Sequence, residues 1–306
     1  MPKPPSDVLW QRKDVMLVAA GSGPCLRELY YRAVEQGKLQ QLMFCHTTDD
    51  DYTMGTAEEK ITRVIKRAAA VHGVQVVVLY LNCLDILTRL DFDYLESSLS
   101  EATGVMVRYF FRGPLGKMDI RHFKPVYEFM ADLPEENGCI SHNLYQLPPL
   151  ATDVAGVIDT LPANEAKVLV APSGCRACLR DGDLLEQTQG VYVLETKKQD
   201  FIYGIEDNSV KQCSELMSDG KYKSLNLISS AVAAFIGFDG NWVANSMENN
   251  LKTRSFDMDG FNDAVYGVSC AQKLLVEEEQ ELYVKPAREI LILGYSPLLC
   301  GEREQY

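Results

Sequence analysis

The sequence predicts an α/β protein built from two tandem, doubly wound, Rossmann-like domains with parallel sheets, related by a pseudo-twofold axis. Two observations support this prediction. Apolar runs of strand length alternate with helical segments, which is typical of a parallel sheet covered by helices on both faces. Segments of the first half also recur in the second, and a repeat this long indicates duplicated domains rather than a solenoid. The matching positions are Cys25 and Cys175, Gly55 and Gly204, and Asp91 and Asp239, so the offset runs from 150 to 148 residues.

The first copy begins with an apolar run that ends in a Gly-Ser-Gly turn. Pro24 then suits the first position of a helix whose apolar residues recur at helical spacing, and Gly37 ends that helix. The same reasoning gives alternating strands and helices along the rest of the copy. The predicted strands are 15–20, 41–45, 74–81 and 105–111, and the later predicted helices are 57–72 and 93–103.

The second copy repeats this order. Four prolines with few periodic positions mark 134–162 as a linker, so the predicted domains are 1–150, with that linker at its end, and 151–306. A helix is predicted near the end of the second copy, followed by a last strand. The predicted strands of this half are 167–171, 191–196, 224–229 and 289–294, and its predicted helices are 207–217 and 261–276.

Composition limits the class of function. A net charge of −13 would repel nucleic acids and anionic membranes, so neither is an expected partner. No apolar run reaches the roughly 18 residues that a membrane span needs, and the polar, proline-rich start is unlike a signal peptide, so we expect a cytoplasmic protein. Nine cysteines in a reducing compartment indicate buried thiols, metal ligands or redox chemistry rather than a disulfide framework.

Four cysteines stand at positions suited to chemistry. Cys25 and Cys175 each follow a strand and a turn and open a helix, where the helix dipole favours a thiolate. Cys83 ends a buried strand, at the sheet edge where ligand sites collect. Its counterpart in the second copy is Ala231, and Cys178, three residues after Cys175, could supply the missing thiol.

These segments resemble the nitrogenase component 1 family, which includes the molybdenum-iron protein subunits and the dark-operative protochlorophyllide reductase subunits. The resemblance covers roughly two thirds of the chain, and each copy matches only the family's first domain. The matching motifs are Gly21-Ser-Gly-Pro-Cys25 and Ala171-Pro-Ser-Gly-Cys175, Thr47 to Gly55 with Glu58-Glu-Lys60, Leu81-Asn-Cys83 with Asp91, Ser229-Ser-Ala231 with Ile236-Gly-Phe-Asp239, Gly260-Phe-Asn-Asp-Ala264 and Glu289 to Gly294.

The resemblance implies an oxidoreductase component that carries an iron-sulfur cluster, of the four-iron type, between the two copies. Cys25, Cys83 and Cys175 would be ligands, with Cys178 or a carboxylate as the fourth. The resemblance also implies a separate ATP-hydrolysing iron protein as the electron donor. The chain has no Walker-type loop, so we do not expect it to hydrolyse ATP itself. The domains that hold the family's large catalytic cofactor have no counterpart here, so a full nitrogenase-type substrate site is not expected.

Two other functions are left open. Cys175-Arg-Ala-Cys178 after a strand is also typical of a thioredoxin-like thiol-disulfide protein. Ala231 in place of a thiol favours instead a non-catalytic scaffold or cluster carrier. The sequence also leaves open whether the chain forms a homo-oligomer.

Overall fold

The computed structural model describes residues 3–88, 90–118, 123–141, 147–172, 175, 190–197, 199–247 and 252–279. The chain divides into two compact units, Met1–Pro149 and Leu150–Tyr306. Each unit is built around its own four-stranded sheet.

The first unit is a parallel sheet with the strand order β2-β1-β3-β4. In its register, Leu17 lies opposite Leu42 on one side and Val78 on the other. Its strands are β1 (Val15–Gly21), β2 (Leu42–His46), β3 (Val76–Leu81) and β4 (Met106–Phe111). Its helices are α1 (Pro5–Leu9), α2 (Gly23–Glu35), α3 (Asp49–Thr53), α4 (Ala57–Ala69), α5 (Cys83–Leu87), α6 (Phe92–Thr103), α7 (Gly113–Met118) and α8 (Val126–Ala131), with a 3₁₀ turn at Leu39–Gln41.

Two apolar cores lie on opposite faces of this sheet. Helices α4 and α6 pack on one face through residues such as Ile61 and Leu95. Helices α1, α2 and α8 pack on the other, with Trp10 and Leu26 completely buried. Strands β1 and β3 are buried on both faces, which explains why they are apolar throughout.

The second unit has the same topology, with the parallel order β6-β5-β7-β8. Its strands are β5 (Ala166–Val170), β6 (Val191–Val193), β7 (Ser224–Ser229) and β8 (Lys252–Phe256). Its helices are α9 (Asp153–Thr160), α10 (Asp200–Tyr203), α11 (Glu206–Met217), α12 (Ala231–Phe235), α13 (Gly240–Ser246) and α14 (Ala264–Glu279). Both units therefore confirm the predicted α/β class with parallel sheets and helices on both faces.

Equivalent side chains cap equivalent helices in the two units. Asp91 accepts a hydrogen bond from the backbone N–H of Tyr94 at 2.9 Å, and Asp239 accepts one from Trp242 at 2.8 Å. An aspartate at the equivalent position therefore begins each of the helices α6 and α13. The sequence offset of 148 residues thus relates positions that are also equivalent in the fold.

The stretch 134–162, predicted as a linker, contains helix α9. Residues 154–158 are all buried, so this helix lacks the polar face that helical periodicity would reveal. Gly156 lets α9 approach α14 closely, because a Cβ at that position would collide with the carbonyl oxygen of Ala264.

Other element boundaries differ from the predictions. Strand β6 is only three residues long, and α14 begins three residues later than the predicted start at 261. Strand β8 and helices α12 and α13 were not predicted, and the predicted strand 289–294 lies outside the described residues. Within the described ranges, no helix is both long and apolar enough to cross a membrane.

Candidate functional site

The carboxyl edge of the first sheet contains a topological switch point. After β1 the chain turns into α2 on one face of the sheet, and after β3 it continues to α6 on the other face. Two neighbouring strands whose connections diverge leave a crevice between their carboxyl ends, where ligands of doubly wound proteins bind.

Cys25 and Cys83 flank this crevice. Cys25 is the third residue of α2, and Cys83 is the first residue of α5, with 8% of its surface exposed. Both residues begin helices that follow neighbouring parallel strands, β1 and β3. The structure thus places two of the four predicted site residues on neighbouring turns at one edge of the sheet.

The Cys83 thiol is enclosed by the chain that follows β4. A Cβ at Gly113 would lie 3.0 Å from its sulfur. Burial raises the pKa of Cys83 to about 12, an effect that the Leu115 N–H and Arg112 partly oppose. The metal-free thiol is therefore protonated at neutral pH, and a metal that binds it must displace the proton.

Gly21 allows the end of β1 to meet the Cys83 turn. Its φ is +133°, and a Cβ there would collide with the amide of Asn82. That amide donates to the carbonyl oxygen of Ala20 at 3.2 Å, while its oxygen accepts the backbone N–H of Leu84 at 2.7 Å. Asn82 thereby ties the Cys83 turn to β1.

A buried polar network that sequence reasoning missed lies beside the two cysteines. The Tyr52 hydroxyl donates to Asp85 at 2.9 Å and lies 2.7 Å from the Thr47 hydroxyl. Asp85 is fully buried and accepts the backbone N–H of Asn82 at 2.8 Å. Burial raises the pKa of Asp85 to about 6, against the opposing effect of these hydrogen bonds. Burial and the Asp85 charge also raise the pKa of Tyr52.

The second unit keeps the backbone frame of this site but not its polar network. Ser230, the counterpart of Asn82, donates to the carbonyl oxygen of Val170 at 2.8 Å, and Cys175 occupies the place of Cys25 after β5. The residues that would complete the network are apolar. Ala231 replaces Cys83, Ala233 replaces Asp85 and Phe201 replaces Tyr52, at offsets of 148, 148 and 149 residues.

Thr196, the counterpart of Thr47, shows the effect of losing this polar network. Within the described part of the chain, its buried hydroxyl has no hydrogen-bond partner. A buried polar group left in this way costs about 1–3 kcal/mol. A comparison of the two copies in the sequence alone would have pointed to this network, since two further substitutions accompany the missing cysteine.

Replacing Thr196 with valine should stabilise the second unit by about 1 kcal/mol, because valine has nearly the same shape and no hydroxyl to leave unpaired. Thr47→Val is the matched control and should destabilise the first unit by a similar amount, since it removes the contact with Tyr52. Hydrogen exchange of the strand amides in each unit measures both changes. Equal effects in the two units would contradict this interpretation.

Of the other two predicted ligands, Cys175 belongs to the second unit and Cys178 lies outside the described residues. Among the residues that the structure places, no three histidine, cysteine or acidic side chains form a group that could hold a metal ion. Cys45 and Cys213 are buried in the apolar cores, and Cys139 is exposed.

Comparison with known proteins does not assign the chain to a family. No protein-family model matches the sequence, and no curated protein matches it.

Proposed function

We propose that this protein is an iron-sulfur electron-transfer component, and that cysteines from both copies hold one four-iron cluster. The observation that carries the proposal is the position of Cys25 and Cys83 at the starts of the helices that follow two neighbouring strands of the switch point, β1 and β3. Cys175, at the equivalent position of the second copy, would be the third ligand, and Cys178 the fourth. The proposal requires these cysteines to meet across the predicted pseudo-twofold axis.

The residues beside the two thiols fit this class of cofactor. Thiolates are the usual ligands of iron-sulfur clusters, and N–H groups directed at their sulfur atoms help to set the reduction potential. The backbone N–H of Leu115 favours the thiolate form of Cys83, and the N-terminal turn of α2 favours negative charge on Cys25. A bound cluster would supply one-electron transfer, while the chain would position it and limit its exposure to water.

The proposed electron donor is a separate ATP-hydrolysing iron protein, and the proposed compartment is the cytoplasm. The donor follows from the resemblance, and the compartment follows from the apolar runs of the sequence, none of which reaches the length of a membrane span. Because each copy resembles the family's first domain alone, we propose a component that passes electrons onward.

The test is the iron and acid-labile sulfide content of protein purified and reconstituted without oxygen. We expect about four irons per chain and a broad visible absorption band in the wild type. Cys83→Ala should lose that band and most of the iron. Alanine fits the backbone at this turn, since Ala231 occupies the equivalent position in α12.

Cys213→Ala is the matched control, because Cys213 is a fully buried thiol whose pKa is raised to about 12 by burial alone. It should retain the iron and the visible band. Wild-type protein that stays colourless after reconstitution, or Cys83→Ala protein that binds as much iron as wild type, would refute the proposal. The first of these results would favour the scaffold function, in which the fold persists without the cofactor.

A further inference from the structure

The two copies differ in a correlated way around one turn. The first copy has Cys83, Asp85 and Tyr52 together, and the second copy has an alanine, an alanine and a phenylalanine at the same positions. Each copy folds into its own four-stranded sheet, and the two sheets have the same strand order. The fold therefore does not need the Tyr52–Asp85 hydrogen bond, which occurs in the copy whose turn carries the second cysteine.

The contacts of Asp85 show what the pair does to that turn. One carboxylate oxygen accepts the Asn82 N–H, and the Asn82 side chain accepts the N–H groups of Leu84 and Asp85 in return. This reciprocal capping box encloses the backbone of Cys83. The other carboxylate oxygen accepts the Tyr52 hydroxyl, so the box is also held from α3.

A second set of contacts links Tyr52 to the remaining strands of the switch point. Its hydroxyl contacts Thr47, whose backbone N–H donates to the carbonyl oxygen of Gly21 at 3.1 Å. The Tyr52 hydroxyl therefore joins the turns after β2 and β3, and the Thr47 backbone joins the turn after β2 to the end of β1. Among the described residues of the second copy, Ser230 joins the turn after β7 to the end of β5.

We propose that Tyr52 is a positioning residue which, through Asp85, holds the Cys83 turn in the geometry that binds a metal together with Cys25. This inference rests on the proposed function, since it assumes that the two thiols are ligands. Partners one step removed from a metal ligand usually change metal affinity by about 10-fold to 100-fold when they are replaced.

The experiment measures binding of Co²⁺ alone to the reduced, metal-free full-length protein, followed by the thiolate-to-cobalt charge-transfer band. Wild type should bind Co²⁺ and show the band, and Cys83→Ala should lose it. Tyr52→Phe should keep the band but weaken Co²⁺ binding about tenfold or more. Unfolding by denaturant is measured on the same variants without metal, so that affinity and stability are separated.

Tyr109→Phe is the matched control. It also removes a tyrosine hydroxyl that donates to an aspartate in the first unit, here Asp93 at 2.9 Å, but on β4 and away from the cysteines. It should leave Co²⁺ affinity unchanged. Tyr52→Phe protein that unfolds at a lower denaturant concentration but binds Co²⁺ as tightly as wild type would show that Tyr52 has no positioning role. The proposed metal site at the cysteines would not be affected by that result. If wild type gives no charge-transfer band, both the site and this inference fail.

Discussion

Replacing Arg12 with alanine will destabilise the first unit by about 3–5 kcal/mol, because it leaves a buried carboxylate without its cation. Asp14 is fully buried, and the guanidinium of Arg12 holds both of its oxygens, at 2.9 and 2.7 Å. Arg12 also donates to the carbonyl oxygen of Pro134, and Asp14 accepts the backbone N–H of Asn137. The pair thereby fixes the chain that leaves the first unit.

The fluorescence of Trp10 can follow the unfolding of the Arg12→Ala variant. The chain has two tryptophans, Trp10 buried in the first unit and Trp242 half-exposed in the second. In a Trp242→Phe background, denaturant unfolding followed by fluorescence measures the first unit alone. Arg108→Ala is the control, because the Arg108–Glu96 pair is partly exposed, and it should cost less than about 1 kcal/mol. Equal losses in the two variants would contradict the prediction.

The Arg12–Asp14 pair also predicts that the stability of the first unit depends on pH. Burial alone would raise the pKa of Asp14, but the hydrogen bonds from Arg12 and Asn137 outweigh it and lower the pKa. A lowered carboxyl pKa stabilises the folded state above the unfolded value and loses that effect as pH falls through the folded one. The difference between wild type and Arg12→Ala should therefore shrink in acid.

Apolar runs gave the central strands β1 and β3 of the first sheet correctly because those strands are buried on both faces. Strand β8 was missed for the opposite reason. Its sequence Lys-Thr-Arg-Ser-Phe looks like a surface segment, yet Arg254 is buried in ion pairs with Glu165 and Glu278. Only tertiary partners distant in the sequence make a charged residue acceptable inside a sheet.

Local sequence patterns predict the candidate site only as far as its cysteines, and the rest emerges only when the two copies are compared. Cysteine is uncommon, and a turn between a strand and a helix is a recognisable position, so Cys25 and Cys83 stand out in the sequence. Tyr52 and Asp85 are ordinary residue types separated by 33 positions, and nothing local joins them. Their connection depends on the fold, which places the turns after β2 and β3 at one edge of the sheet.

Replacing Asp153 with asparagine should stabilise the second unit at pH 8 by roughly 1–3 kcal/mol and reduce the dependence of its stability on pH. Asp153 is fully buried at the start of α9, where it accepts the N–H groups of Val154 at 2.7 Å and Gly260 at 3.0 Å. Burial, and then the neighbouring carboxylate of Asp259, raise its pKa to about 7.

The raised pKa of Asp153 determines the direction in which stability changes with pH. A carboxyl group whose pKa is raised by folding holds its proton longer in the folded state, so stability falls as pH rises from about 4 to about 7. Asparagine keeps the acceptor oxygen for Val154 and Gly260. Its amide nitrogen cannot accept the long 3.4 Å contact from the Asp259 backbone N–H, but it carries no charge, so the variant keeps the two shorter contacts at every pH.

The predicted effect of Asp153→Asn can be measured by hydrogen exchange of the β5 and β7 amides between pH 4.5 and 8. The exchange rates are corrected for the intrinsic rate at each pH. Asp239→Asn is the control, because Asp239 is an exposed helix cap and asparagine caps equally well. The Asp153 variant should gain stability over wild type as pH rises, whereas the control should follow wild type. A constant difference between Asp153→Asn and wild type over this range would show that the carboxyl group is already ionised in the folded unit and that its environment stabilises the charge.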